Sequence, residues 1–115
     1  MRYKSQLRTL SVRQLRARRS RLARALPDVE ATLRGALQRQ MRRCGKGGCR
    51  CAEGELHGPY IYVSVRTDDG SRLLYVPAEA VEAVTRRVKA TGRLDAALAE
   101  ISAINLELLA RGELA

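Results

Sequence analysis

Apolar positions recur along this chain with two different periods, and the change of period divides it into elements. Over residues 11–26, SVRQLRARRSRLARAL, the side chains of Val12, Leu15, Leu22 and Leu26 fall on one arc at about 100° per residue, the repeat of a helix. Ser11 stands where a helix N-cap belongs. Arg13, Arg16, Arg18, Arg21 and Arg24 spread around the rest of the circumference, while Arg19 intrudes on the apolar arc. So narrow a stripe suits a partner segment better than a deep core. Pro27 with Asp28 ends the helix or opens a new turn, since the residue before proline is pushed out of the α region.

From Val29 to Cys44 two periods compete: Val29, Leu33, Leu37 and Met41 fit a helix, whereas Leu37, Arg39, Met41 and Arg43 alternate as a strand. Gly35 interrupts the helical version, so the expectation is a short helical turn and then a strand over about 36–43. The stretch GCRCAEGELHGP, with its glycines and proline, reads as loop. Tyr60 to Arg66 is the clearest strand, with Ile61, Val63 and Val65 on one face and Tyr60, Tyr62, Ser64 and Arg66 on the other. Thr67 to Gly70 supplies a turn and Arg72 to Val76 the returning strand. Pro77 suits a first helical turn, and from there to about Arg111 Val81, Val84, Val88, Leu94, Leu98, Ile101 and Leu108 recur at helical steps. Thr91 and Gly92 are the expected kink, because an interior glycine costs about 1 kcal/mol relative to alanine.

In heptads, Leu94, Ile101 and Leu108 share one seam position and Thr91, Leu98 and Asn105 the other. A buried Asn in a seam fixes register or oligomer state, so Leu94, Leu98, Ile101, Asn105 and Leu108 are candidates for oligomerisation as a homodimer. The alternative is that the helix packs within the chain against the N-terminal helix, with Asn105 at its edge. Both readings stand on the pattern alone.

Length and charge alter this picture in one respect each. At 115 residues the chain suits a single domain with a modest core, made without Phe or Trp and with four tyrosines as its only aromatics. The formal net charge of +10 is uneven: residues 1–50 carry 15 Lys or Arg against 2 acids, residues 51–115 carry 7 against 10. A cationic half points to nucleic acid. Of the 22 cations 19 are Arg, which suits bidentate phosphate contact and stacking on bases, although a GC-rich genome also favours Arg. No run of 18 apolar residues and no apolar N-terminal region are present, so neither a membrane span nor a secretory signal is expected, and the cytoplasm is the expected compartment.

All three cysteines and the only histidine fall in one window, Cys44, Cys49, Cys51 and His57. Three thiolates and an imidazole complete a tetrahedral set for one structural zinc ion, with no open position for a catalytic water. The Cys49 and Cys51 pair is tighter than the usual two-residue gap, and reduced structural or reactive thiols remain the alternative. Arg42, Arg43, Lys46 and Arg50 surround the window and favour thiolate formation. The fold expected is therefore α+β: a basic helical arm (1–27), a zinc-stapled loop with a small three-stranded antiparallel sheet (28–77), and a long C-terminal helix (78–115).

The run CGKGGCRCAEGELHGPYIYVSVR resembles the signature of a family of short uncharacterised bacterial proteins, in which Cys-Gly-Lys, Cys-Arg-Cys and His-Gly-Pro-Tyr stretches precede a strand, a basic hairpin and a long helix. The resemblance covers roughly residues 33–110 and rests on Gly35, Cys44, Gly45, Lys46, Cys49, Arg50, Cys51, Gly54, His57, Gly58, Pro59, Tyr60 and Val76, with Gly92 departing from it. Members are sometimes found close to mobile-element genes, which implies a link to transposition or recombination.

Two functions follow as expectations. The first is a nucleic-acid-binding module, DNA or RNA, using Arg13, Arg16, Arg21, Arg24, Arg42, Arg43, Lys46 and Arg50, with Tyr60, Tyr62 and Arg66 on a sheet face that either stacks bases or packs on a helix. The second is an oligomerising adaptor that docks through its long helix onto a larger nucleic-acid enzyme. An enzyme is disfavoured: the one His is wanted by the metal, no paired carboxylates stand near it, and GKGG lacks the spacing of a phosphate-binding loop.

Overall fold

The capping serine is in place in the computed structural model, which describes residues 6–43, 48, 54 and 56–115. Ser11 Oγ accepts from the Gln14 amide at 3.1 Å while the Ser11 amide donates to Gln14 Oε1 at 2.8 Å, a reciprocal capping box that satisfies two otherwise orphaned donors. Helix α1 follows over Val12–Arg24. A single 3-10 turn at Val29–Ala31, with the Asp28 carboxylate accepting from the Glu30 amide, leads into strand β1, Gly35–Arg42. Helical turn first and strand second resolves the competing periods as the pattern predicts.

Strands β2 (His57–Thr67) and β3 (Gly70–Tyr75) complete an antiparallel sheet in the order β1-β2-β3. Their hairpin closes through Asp68 and Asp69, with Gly70 at φ +113° taking the conformation a side chain would resist. Val76 adds one further backbone bond, donating to the Ile61 carbonyl at 2.8 Å. Gly35 lies against β2 so closely that a Cβ there would stand 2.9 Å from both the Ser64 carbonyl oxygen and Val63 Cγ2.

Helix α2 runs over Val81–Ala110, about 45 Å at 1.5 Å per residue. It starts later than Pro77 suggests, because Pro77 itself stays extended at ψ 151° and Ala78–Ala80 forms a 3-10 turn first. It also passes through Thr91 and Gly92 unbroken: Thr91 is buried, and one glycine's cost is small beside the bonds of a 30-residue helix. The expected interruption at Gly92 is thus corrected. A Schellman motif ends the helix, with Gly112 at φ +72° and the Glu113 amide donating to the Leu108 carbonyl. Among the described residues no helix is long and apolar enough to cross a membrane.

The chain divides into two compact units, one combining the segment up to Ala31 with Ala90–Ala115, the other spanning Thr32–Lys89. The helical unit is organised around Leu7, Leu15, Ile104 and Leu108, all buried, with Leu10, Val12, Leu22 and Ala103 against them. Burial of each such side chain contributes about 1.5–3 kcal/mol. Arg111, steered by Glu107, donates to the carbonyls of Leu7, Arg8 and Leu10 and so caps the turn that precedes α1. Among the described residues of the sheet unit Val63 and Val76 are the buried apolar side chains, and the Leu33 amide donates to the Arg87 carbonyl.

This packing bears on the expected seam. Leu108 is fully buried in the chain's own core and Asn105 Oδ1 accepts from Arg19 Nη1 at 2.7 Å, so both positions serve the intrachain helix pair. Leu94 and Ile101 are half-buried, and Leu98 is 48% exposed.

Candidate nucleic-acid interface

Six of the 19 arginines lie on α1, and the helix sorts them by position. Those that flank or enter the apolar arc tie α1 to α2: Arg18 pairs with Glu100, Arg19 with Asn105, and Arg16 with Glu113 at 3.3 Å. Arg13, Arg21 and Arg24 lie on the opposite arc, exposed, with no carboxylate partner among the described residues. Of the four α1 arginines expected to bind, Arg16 is therefore already engaged, although both partners in its pair remain open to solvent.

The sheet unit holds the more structured feature. Gln38 pairs with Tyr62 and Gln40 with Tyr60, which sets Gln38, Gln40, Tyr60, Tyr62, Ser64 and Arg66 on one face and Leu37, Ile61, Val63 and Val65 on the other. Tyr75 pairs with Tyr62 from the far side and joins the tyrosine face. The rings of Tyr62 and Tyr75 meet edge to face, centroids 5.7 Å apart at 69°. Tyr75 is 56% exposed, so the face offers an open aromatic surface.

A bulge completes it. Gln40 faces Tyr60, but two residues on Arg42 faces His57, three residues back, so β2 carries one extra residue at Gly58 and Pro59. Gly58 makes this possible, with φ +126° and a site where a Cβ would stand 2.8 Å from the Gln40 carbonyl oxygen; the Gly58–Pro59 peptide is cis. Simple alternation would set His57 opposite Tyr60 and Tyr62; the bulge turns it to their side. The expectation that His57, Gly58 and Pro59 belong to a loop is corrected accordingly: pairing with β1 continues through the bulge to His57.

On that side the Arg42 guanidinium lies over the Tyr62 ring, 5.0 Å from its centroid. Gln40 Oε1 accepts from Arg42 Nε at 3.1 Å and Nη2 at 2.7 Å and holds the plane in place. Arg42, Arg43, His57, Tyr60, Tyr62 and Tyr75 line a groove of about 320 Å³ without a carboxylate among them. The arrangement presents aromatic and guanidinium planes with positive charge at the rim, which suits planar anionic ligands.

Of the other expected site residues, Arg66 is exposed on the same sheet face. Cys44, Cys49, Cys51, Lys46 and Arg50 lie outside the described residues, and His57 is the member of the zinc set that is described. Among the described residues no three metal-binding side chains come together. Tyr75 is the groove residue that sequence reasoning missed; counting back across the Asp68-Asp69 turn pairs it with Tyr62, and that signal was present. The side on which His57 lies was hidden by the bulge.

Among curated proteins and among solved structures nothing matches the chain. A family model matches residues 12–86, which takes in α1, the whole sheet and the start of α2, and begins earlier and ends earlier than the stretch of motif resemblance. The chain thus belongs to the family described as "Domain of unknown function (DUF6788)".

Proposed function

We propose that this protein is a small basic nucleic-acid-binding protein, stapled by one structural zinc ion and serving as an accessory factor to a mobile-element or recombination and nuclease complex. The observation that carries the reading is the groove of Arg42, Arg43, His57, Tyr60, Tyr62 and Tyr75, a cationic aromatic surface with no carboxylate among its described residues. Phosphate contacts supply affinity through counterion release, and the outward arginines of α1 and the pair at the end of β1 are suited to it. Stacking on tyrosine and arginine planes adds affinity for bases. The link to mobile elements rests on the resemblance of the cysteine-rich signature.

Cys44, Cys49, Cys51 and His57 have the donor chemistry of a closed structural zinc site, and the bulge that turns His57 toward Arg42 brings that donor to the rim of the groove. Zinc bound there would hold the cationic segment in shape and would perform no chemistry. Purified protein should carry zinc at one ion per chain by elemental analysis, and Cys49→Ser should lose the metal and lower the melting temperature together. A folded, metal-free wild-type protein would return the cysteines to the reduced-thiol reading.

Binding itself is tested by titrating labelled DNA and RNA over a range of salt. Affinity should fall steeply with salt; absence of binding even at low salt sinks the proposal. A second reading, an adaptor docking onto a larger nucleic-acid enzyme, draws on the exposed Leu98, Leu106 and Leu109 of α2. It predicts a protein partner and no binding by the isolated chain.

A further inference from the structure

We infer that the groove takes unpaired bases, so the ligand is a single-stranded segment of RNA or DNA rather than a duplex; the inference rests on the nucleic-acid reading above. Its basis is what the groove offers. Tyr62 and Tyr75 meet edge to face, so their contact occupies one face of one ring and leaves the other ring's faces clear of it, and Tyr75 remains 56% exposed. Arg42 covers one plane of Tyr62 and is itself held flat by two bonds to Gln40, leaving its outer plane as a ready stacking surface. Stacked paired bases have their planes covered by their neighbours. Only an unpaired base has a π-face free to lie on tyrosine or guanidinium, which is why such platforms mark single-strand readers.

The placement of these groups points the same way. A β-sheet side chain reads a duplex by entering a groove of the duplex, which requires a projecting ribbon or helix. Here the planar groups line a recess, and the charge of Arg43 stands with them, where the phosphates flanking a splayed base would pass. Gln38, exposed on the same face beside Tyr62, supplies an amide that can donate to and accept from a base edge. The exposed arginines of α1 form a plain electrostatic surface by comparison and carry no preference between strands.

The test compares full-length protein on a short labelled single strand, in DNA and in RNA, with the same strand in a duplex. Tyr75→Ala, Tyr75→Phe and Arg43→Gln are measured alongside wild type over a range of salt. Single strands should bind more tightly than duplex. Tyr75→Ala should weaken single-strand binding roughly 10- to 100-fold with an unchanged salt slope, as loss of one stacked base requires, while Tyr75→Phe retains affinity. Arg43→Gln should instead reduce the salt slope by about one and weaken all sequences alike. The chain has no tryptophan, and Tyr60, Tyr62 and Tyr75 line the groove, so single-strand binding should also quench intrinsic tyrosine fluorescence.

Equal affinity for duplex and single strand, with Tyr75→Ala affecting neither, would overturn the inference while leaving a general nucleic-acid-binding role intact. Competition by polyglutamate as effective as by single strands would overturn it in favour of an acidic protein ligand. No binding to any nucleic acid would overturn the inference and the proposed function together. Unchanged circular dichroism and melting temperature in Tyr75→Ala and Arg43→Gln, with affinity kept in Tyr75→Phe, establish that the effects belong to the groove.

Discussion

Three glycines show how differently one residue type acts at different places. A methyl group at Gly35 would stand 2.9 Å from the Ser64 carbonyl oxygen, and at Gly58, already at φ +126°, 2.8 Å from that of Gln40; both neighbours are backbone and cannot yield cheaply. At Gly92, inside α2, a Cβ meets nothing within 4 Å. Gly35→Ala and Gly58→Ala should therefore each destabilise the fold by about 1–3 kcal/mol, whereas Gly92→Ala should stabilise it by about 0.5–1 kcal/mol. Urea unfolding of the three variants checks the change of sign. The motif positions Gly35 and Gly58 were legible in the sequence as fixed points, but their cause was not: each acts through a strand far away in the chain. Tyr75 differs from them, since counting back across the Asp68-Asp69 turn already pairs it with Tyr62.

At the scale of elements, local signals carried most of the information. Ser11 was readable as a cap because the bond it makes spans three residues; Ser11→Ala should cost about 1 kcal/mol and lower α-helical ellipticity at the same time. The turn before β1, the hairpin and the three-strand order also follow from nearby residues. What failed depended on the rest of the chain. Periodicity marked the apolar stripe of α2 but did not say what would cover it, and Leu15 with Leu7 lies against Ile104 and Leu108 where a second copy was one of two expectations. Arg19, which looked like an error in the apolar arc of α1, finds its acceptor on Asn105, 86 residues away. Two oddities of pattern thus answer one another, and neither is interpretable alone.

For the whole molecule, the concentration of positive charge in the first half resolves into two populations. Arg18 and Arg19 are partly buried and bonded to α2, so Arg18→Gln, which weakens its hold on Glu100, should cost about 1–3 kcal/mol of stability. Arg13, Arg21 and Arg24 stand in solvent, and neutralising all three to Gln should leave stability within about 0.5 kcal/mol while reducing the salt dependence of nucleic-acid binding. Thermal unfolding and salt titration of the two sets of variants separate them. Charge alone could not make this division, because it depends on which arc of a helix meets a partner. The bulge in β2 sets a rule of parity for the whole sheet face. Strand alternation brings two residues to the same side only when an even number of steps separates them, yet His57 and Tyr60, three steps apart, share a side because one residue is looped out. Any relative that keeps an odd spacing between the histidine and the tyrosine must keep a residue able to adopt the conformation of Gly58. One that changes the spacing by a single residue can dispense with that glycine and still present the same groove.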